Sequence, residues 1–179
     1  MKTKKLTLAG MFIALATVLS FIKLFNMIYG GSVTAGSMVP IILFSLMCDF
    51  KWGIIQATIY GLIQLMLGWY APPAQTFASF VLVILLDYVI AFGILGLSGA
   101  IARKIGGGLI AISIGTLTSL FIRFLCHFAS GILIWHSYAP PGQPVWLYSL
   151  LYNGGYMLGE TVITLFAVLL IYPRIKTKL

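Results

Sequence analysis

Residues Phe77–Gly99 read FASFVLVILLDYVIAFGILGLSG, and this stretch decides the fold. A bilayer span takes about 20 apolar residues, and this run is long enough, with Asp87 its one charge. Comparable runs lie on both sides of it. The pattern predicts helices at about Leu6–Phe25, Ser37–Cys48, Trp52–Trp69, Phe77–Gly99, Leu109–Trp135 and Val145–Tyr172. The second is short and carries Pro40 in its first turn, where a missing N–H costs nothing. Pro173 is expected to stop the last helix. Six spans would use about 120 residues of the 179. Residues 1–179 therefore read as one six-helix, all-α integral membrane domain with short loops.

Composition agrees. The chain is 61% apolar and 8% charged, whereas a soluble domain carries roughly 25% charged residues to solvate its surface. The net charge of +8 does not point to nucleic acid, because the basic residues edge the apolar runs and form no stripe on a soluble face. Lys2, Lys4 and Lys5 precede the first run and resemble the start of a signal peptide. The run is long, no small-residue cleavage site is clear, and more spans follow, so it reads as the first membrane helix.

The charges sort by side. Lys2, Lys4, Lys5, Lys51, Arg103, Lys104, Arg174, Lys176 and Lys178 fall at the N-terminus, two alternate turns and the C-terminus. With six spans these four places share one face, and the positive-inside rule makes it cytoplasmic, with both termini. Five spans would split the clusters. The opposite loops hold His136 and otherwise aromatics and turn residues: Tyr29, Trp69, Tyr70, Trp135, Tyr138, Trp146 and Tyr148. An interfacial aromatic belt accounts for part of that set. The string Tyr-Ala-Pro-Pro occurs at Tyr70 and Tyr138, both on the same side, so it signals no inverted repeat. Cys48 and Cys126 sit in separate runs and read as small buried hydrophobes.

A charge inside the hydrocarbon is costly, which makes each one a functional candidate. Asp87 lies mid-helix. Arg123 and His127 are one turn apart and share a face. Glu160 follows Asn153 on one face of the last helix. Lys23 is near the outer end of the first helix and can snorkel. The bland expectation is a buried ion pair of Arg123 with Asp87 or Glu160. Asp87 with Tyr88, His127, Trp135, Tyr148 and Asn153 would instead build a pocket. One carboxylate among aromatic faces and neutral hydrogen-bond groups suits a flat, cationic, heteroaromatic molecule. No phosphate loop, HExxH pair or Ser/His/Asp set is present, so no catalytic centre or metal site is expected, and any ATPase must be another chain.

These residues resemble a known family. Gly30-Gly31-Ser32, Ser37-Met38-Val39-Pro40, Lys51-Trp52-Gly53 and Leu86-Asp87-Tyr88 are similar to the thiamine-specific S-components of energy-coupling factor (ECF) transporters. The more specific block runs from His127 through Ser130-Gly131, Ala139-Pro140 and Pro144-Val145-Trp146 to Tyr148, Tyr152-Asn153 and Tyr156-Met157. The resemblance implies the six-helix S-component fold, high-affinity thiamine binding near the outer face and no catalysis or cofactor. It implies docking onto a transmembrane coupling protein with two ATPase subunits, in a bacterial plasma membrane. Asp87, Tyr88, His127, Trp135, Tyr148 and Asn153 match ligand-contacting positions. Where some members carry an aromatic after the first helix this chain has Gly31, with Tyr29 as a stand-in. Gly10-x3-Ala14 and Ala16-x3-Ser20 permit close helix approach and offer a face for the coupling protein. The competing readings are a stand-alone proton-coupled carrier using Asp87, Arg123, His127 and Glu160, an S-component for another vitamin, and a membrane enzyme.

Overall fold

The computed structural model describes residues 2–176, so Lys178 lies outside the described residues. Six helices form: α1 Lys2–Phe21, α2 Met38–Met47, α3 Phe50–Leu67, α4 Phe77–Ile105, α5 Gly108–Leu133 and α6 Val145–Lys176. α1, α4, α5 and α6 are long and apolar enough to cross a membrane. α2 is not, because its ten residues rise only about 15 Å. It is instead the buried centre of the bundle. Every residue from Met38 to Leu46 is buried, as a helix apolar on all sides requires. Val39, Ile41, Ile42 and Leu43 pack with Ala57, Tyr60, Leu95, Leu120 and Val168 from the surrounding helices.

Small residues let α4 approach α2 and α3. A Cβ added to Gly99 would lie 1.8 Å from the Ser45 carbonyl oxygen, and one on Gly96 would lie 2.4 Å from the Gly53 backbone. Ser45 Oγ uses the gap to accept from the Gly99 N–H.

Polar contacts confirm that the basic turns share one end of the bundle. Lys5 Nζ lies 2.6 Å from Asp49 Oδ2, and Asp49 also caps α3 by accepting from Trp52 N. Arg103 Nη1 donates to the carbonyls of Ser45 and Leu46, which caps the C-terminal end of α2. The aromatics gather at the other end, where Tyr29 stacks on Tyr138 and Tyr70 meets Trp135.

Four expectations need correction. α1 ends at Phe21, and the next residues form a small hairpin, β1 Lys23–Asn26 with β2 Ser32–Thr34. Asn26 pairs with Ser32 across a turn in which Gly30 takes φ +99°, a conformation open to glycine. Pro173 does not stop α6, which runs to Lys176. α4 is not uniformly α-helical: Ile84–Val89 is a π-helical turn and Ile94–Leu97 a 3-10 turn. α5 ends at Leu133, so Trp135 lies just beyond it, ahead of a short 3-10 turn at His136–Tyr138.

Candidate functional site

The π turn holds Asp87. A π turn inserts an extra residue into a helix, shifts the faces on either side, and recurs at functional sites. Here α3 accommodates it: a Cβ at Gly61 would sit 2.8 Å from the Tyr88 carbonyl oxygen. The Tyr88 hydroxyl donates to the Gly68 carbonyl at 2.7 Å, tying the π turn to the end of α3.

Three donors converge on the Asp87 carboxylate. His127 Nδ1 is 3.0 Å from Oδ1. Ser130 Oγ donates to Oδ2 at 2.7 Å, and Trp135 Nε1 reaches Oδ2 at 3.2 Å and Ser130 Oγ at 3.0 Å. A carboxylate only accepts, so Nδ1 carries the proton in this contact. His127 and Ser130 are three residues apart on α5 and so share a face. Asp87 keeps 16% of its side chain exposed, and that portion opens into a cavity.

The cavity has a volume of about 220 Å³. Asp87, Tyr88, His127, Trp135, Tyr148, Asn153 and Tyr29 all line it, so every ligand position expected from the sequence is on one wall system. Trp135 faces Tyr138 at 6.0 Å between ring centres, inclined by 19°. Tyr138 in turn stacks on Tyr29 at 4.3 Å and 6°. These three rings form a near-parallel aromatic rank at the mouth. Asn153 is committed to its own helix: Nδ2 donates to the Ser149 carbonyl and Oγ, while Oδ1 accepts from Tyr156.

Sequence reasoning missed several lining residues. Tyr138 and Tyr70 read as belt aromatics, and Tyr152 and Tyr156 carried no assigned role. Tyr152 is the catch for the hairpin, because its hydroxyl accepts from Tyr29 N and Gly31 N at 3.2 and 3.1 Å. Phenylalanine at 152 removes that acceptor. We expect hydrogen exchange at Tyr29 and Gly31 to accelerate about 10-fold, the equivalent of one hydrogen bond worth roughly 1.4 kcal/mol. Unchanged exchange at both amides would show that the hairpin is held otherwise.

The expected ion pair of Arg123 does not form. Among the described residues no carboxylate lies within salt-bridge distance of it. Its guanidinium instead lies 3.8 Å above the Phe92 ring. Glu160 is taken by the hairpin: Oε1 accepts from Thr34 N at 2.6 Å and Thr34 Oγ1 at 2.7 Å. Both Arg123 and Glu160 line the cavity.

A family model described as "Thiamine transporter protein" (Thia_YuaJ) matches residues 6–179. The chain belongs to this family. It is 33% identical over 162 residues to the thiamine transporter ThiT of Bacillus subtilis strain 168, covering 84% of this chain and 81% of that one. ThiT of Lacticaseibacillus paracasei is 33% identical over 129 residues, 66% of this chain and 58% of that one. The fold matches solved structures as well. ThiT from Listeria monocytogenes superposes with a TM-score of 0.78 at 20% identity, over 97% of this chain and 95% of that one. The S component of a bacterial ECF transporter gives 0.65 at 17%, over 99% and 98%.

Gly31 is closely packed in this chain. A Cβ at Gly31 would lie 2.8 Å from Tyr156 Cδ1, so no larger side chain fits there without moving Tyr156. Tyr29, in the hairpin turn, stacks on Tyr138.

Proposed function

We propose that this chain binds thiamine at the Asp87 cavity near the outer face and delivers it for uptake through an ECF-type transporter. The observation that carries the reading is the carboxylate of Asp87, fixed by three donors and opening into an aromatic-lined cavity, in a chain of the thiamine transporter family. Thiamine is a cation with two flat heteroaromatic rings joined by a methylene. A carboxylate supplies its counter-charge, and the rank of Trp135, Tyr138 and Tyr29 supplies faces for it. Tyr88 and His127 position the carboxylate, and Tyr148 and Asn153 complete the wall.

The partners are a transmembrane coupling protein and two ATPase subunits, placed at the basic end of the bundle. That end is cytoplasmic by the positive-inside rule, in a bacterial plasma membrane. Gly10 and Ala14 lie on an exposed face of α1 while Ala16 and Ser20 are buried. The first pair therefore belongs to the coupling-protein interface and the second to the bundle.

Titration of the purified protein with thiamine tests the reading. We expect saturable, submicromolar quenching of tryptophan fluorescence, and uptake into liposomes only when the ATPase module is present. Absence of binding by thiamine and its pyrimidine analogues sinks it. Uptake driven by a pH gradient without partners would favour the stand-alone carrier, since Asp87, Arg123, His127 and Glu160 all line the cavity.

A further inference from the structure

Lys23 is a cation that the site described above does not use. Every other lysine belongs to the N-terminus, the basic turns or the C-terminus. Lys23 stands on β1, at the opposite end of the bundle, and lines the cavity beside Ser20, Gln64 and Gly68. Among the described residues its side chain has no ion-pair or hydrogen-bond partner. A positive charge beside a bound cation repels it. It becomes favourable when the ligand also carries a negative group on that side.

The lobe around Lys23 is held in place from two elements. Lys23 pairs with Thr34 across the hairpin, and Glu160 holds Thr34 by its N–H and its hydroxyl. The neighbouring Ile22 carbonyl accepts from Ala35 N at 2.9 Å. On the helix side, Ser20 Oγ donates to the Thr17 carbonyl at 2.7 Å and accepts from Gln64 Nε2 at 3.3 Å. A primary amide carries two N–H donors, so Gln64 keeps one over. The lobe adjoins the carboxylate: the Gln64 carbonyl accepts from Gly68 N, and the Gly68 carbonyl accepts from the hydroxyl of Tyr88, the residue after Asp87. An unpaired ammonium and a spare amide N–H suit a phosphate oxygen.

We infer that Lys23 and Gln64 form an anion-binding lobe of the cavity, which takes the phosphate of a thiamine phosphate ester. This rests on the thiamine reading above. The ester is carried by the hydroxyethyl arm of the cationic ring, so both charges sit at one end of the ligand. Asp87 takes the positive one and Lys23 the negative one.

The test is calorimetric titration with thiamine and with thiamine monophosphate, in detergent and in bilayer discs of phosphatidylglycerol. The wild-type protein should bind both, the monophosphate within about 10-fold of thiamine. Lys23→Met keeps an unbranched stem and removes the ammonium. The monophosphate should then weaken by about 10-fold, the scale of one charge-assisted hydrogen bond. Thiamine, relieved of a like charge, should bind up to about 3-fold more tightly. Lys23→Glu should weaken the monophosphate further. Gln64→Leu, on another element, should move the ratio in the same direction by about 3-fold, which keeps the test decisive if a Lys23 variant fails to fold in a thermal melt. A ratio unchanged in folded Lys23→Met or in folded Gln64→Leu overturns the inference while the thiamine reading stands. So does a wild-type protein that binds thiamine and not the monophosphate. A ratio that Lys23→Met alters only in phosphatidylglycerol discs assigns Lys23 to a lipid headgroup phosphate and also overturns it. No thiamine binding by the wild-type protein overturns both readings.

Discussion

Asp87→Asn is expected to weaken thiamine binding by about 100-fold or more, the scale of removing one partner from a buried charge pair, while the protein stays folded. The substitution keeps the shape and one acceptor oxygen. Ser130 and Trp135 both donate to Oδ2, so an asparagine oxygen placed there retains two of the three contacts. What is lost is the charge. In a cavity with an effective dielectric constant near 20, two unit charges about 4 Å apart attract by roughly 4 kcal/mol, part of which desolvation offsets. Calorimetric titration with thiamine and with a neutral isostere of its thiazolium ring separates charge from shape. The variant should lose affinity for the cation and hold it for the isostere to within about 3-fold, a difference of well under 1 kcal/mol. Equal losses for both ligands would mean that Asp87 serves to organise the wall and not to neutralise the ligand. The thermal midpoint of the unliganded variant should not fall, because removing a buried charge from the empty protein relieves a desolvation cost.

The sequence carried those features that depend on counting and periodicity. The charge-poor run around Asp87 announced a membrane helix, and the alternation of basic turns with aromatic loops placed Lys5, Asp49 and Arg103 at one end, where their contacts now lie. His127 and Trp135 were legible beside Asp87 through the family likeness, although Trp135 falls beyond the end of α5. The rest depends on tertiary geometry. No local pattern marks the π turn at Ile84–Val89, which packs closely against Gly61 on α3, a residue distant in sequence. The hairpin was hidden because Lys23–Asn26 and Ser32–Thr34 are four and three residues long, shorter than a recognisable alternation. Arg123 and Glu160 were paired by charge sign alone. The closer attractions, a hydroxyl and N–H from Thr34 and a face from Phe92, lie on other elements. Pro173 lies within the last turn of α6, where only the Leu169 carbonyl, four residues back, loses its N–H donor.

Trp135 brings the aromatic wall and the carboxylate together in one side chain, so two substitutions should separate its contributions. Trp135→Phe keeps a ring facing Tyr138 but removes the indole N–H that reaches Asp87 Oδ2 and Ser130 Oγ. One charge-assisted hydrogen bond lost from an otherwise retained pair predicts about a 10-fold weaker thiamine affinity. Trp135→Ala removes the face as well, and a cation–aromatic contact contributes a further 0.5–2 kcal/mol or so, so the total loss should approach 100-fold. The readout cannot be the fluorescence of the whole protein, because one of its four tryptophans has been removed and quenching would fall for that reason alone. Calorimetry avoids the confusion. The order wild type, phenylalanine, alanine is the substance of the prediction. If phenylalanine binds as poorly as alanine, the indole N–H acts wholly by holding Asp87, and the aromatic rank at the mouth contributes nothing to affinity. If phenylalanine binds like the wild type, the carboxylate is adequately fixed by His127 and Ser130, and Trp135 acts through its face alone.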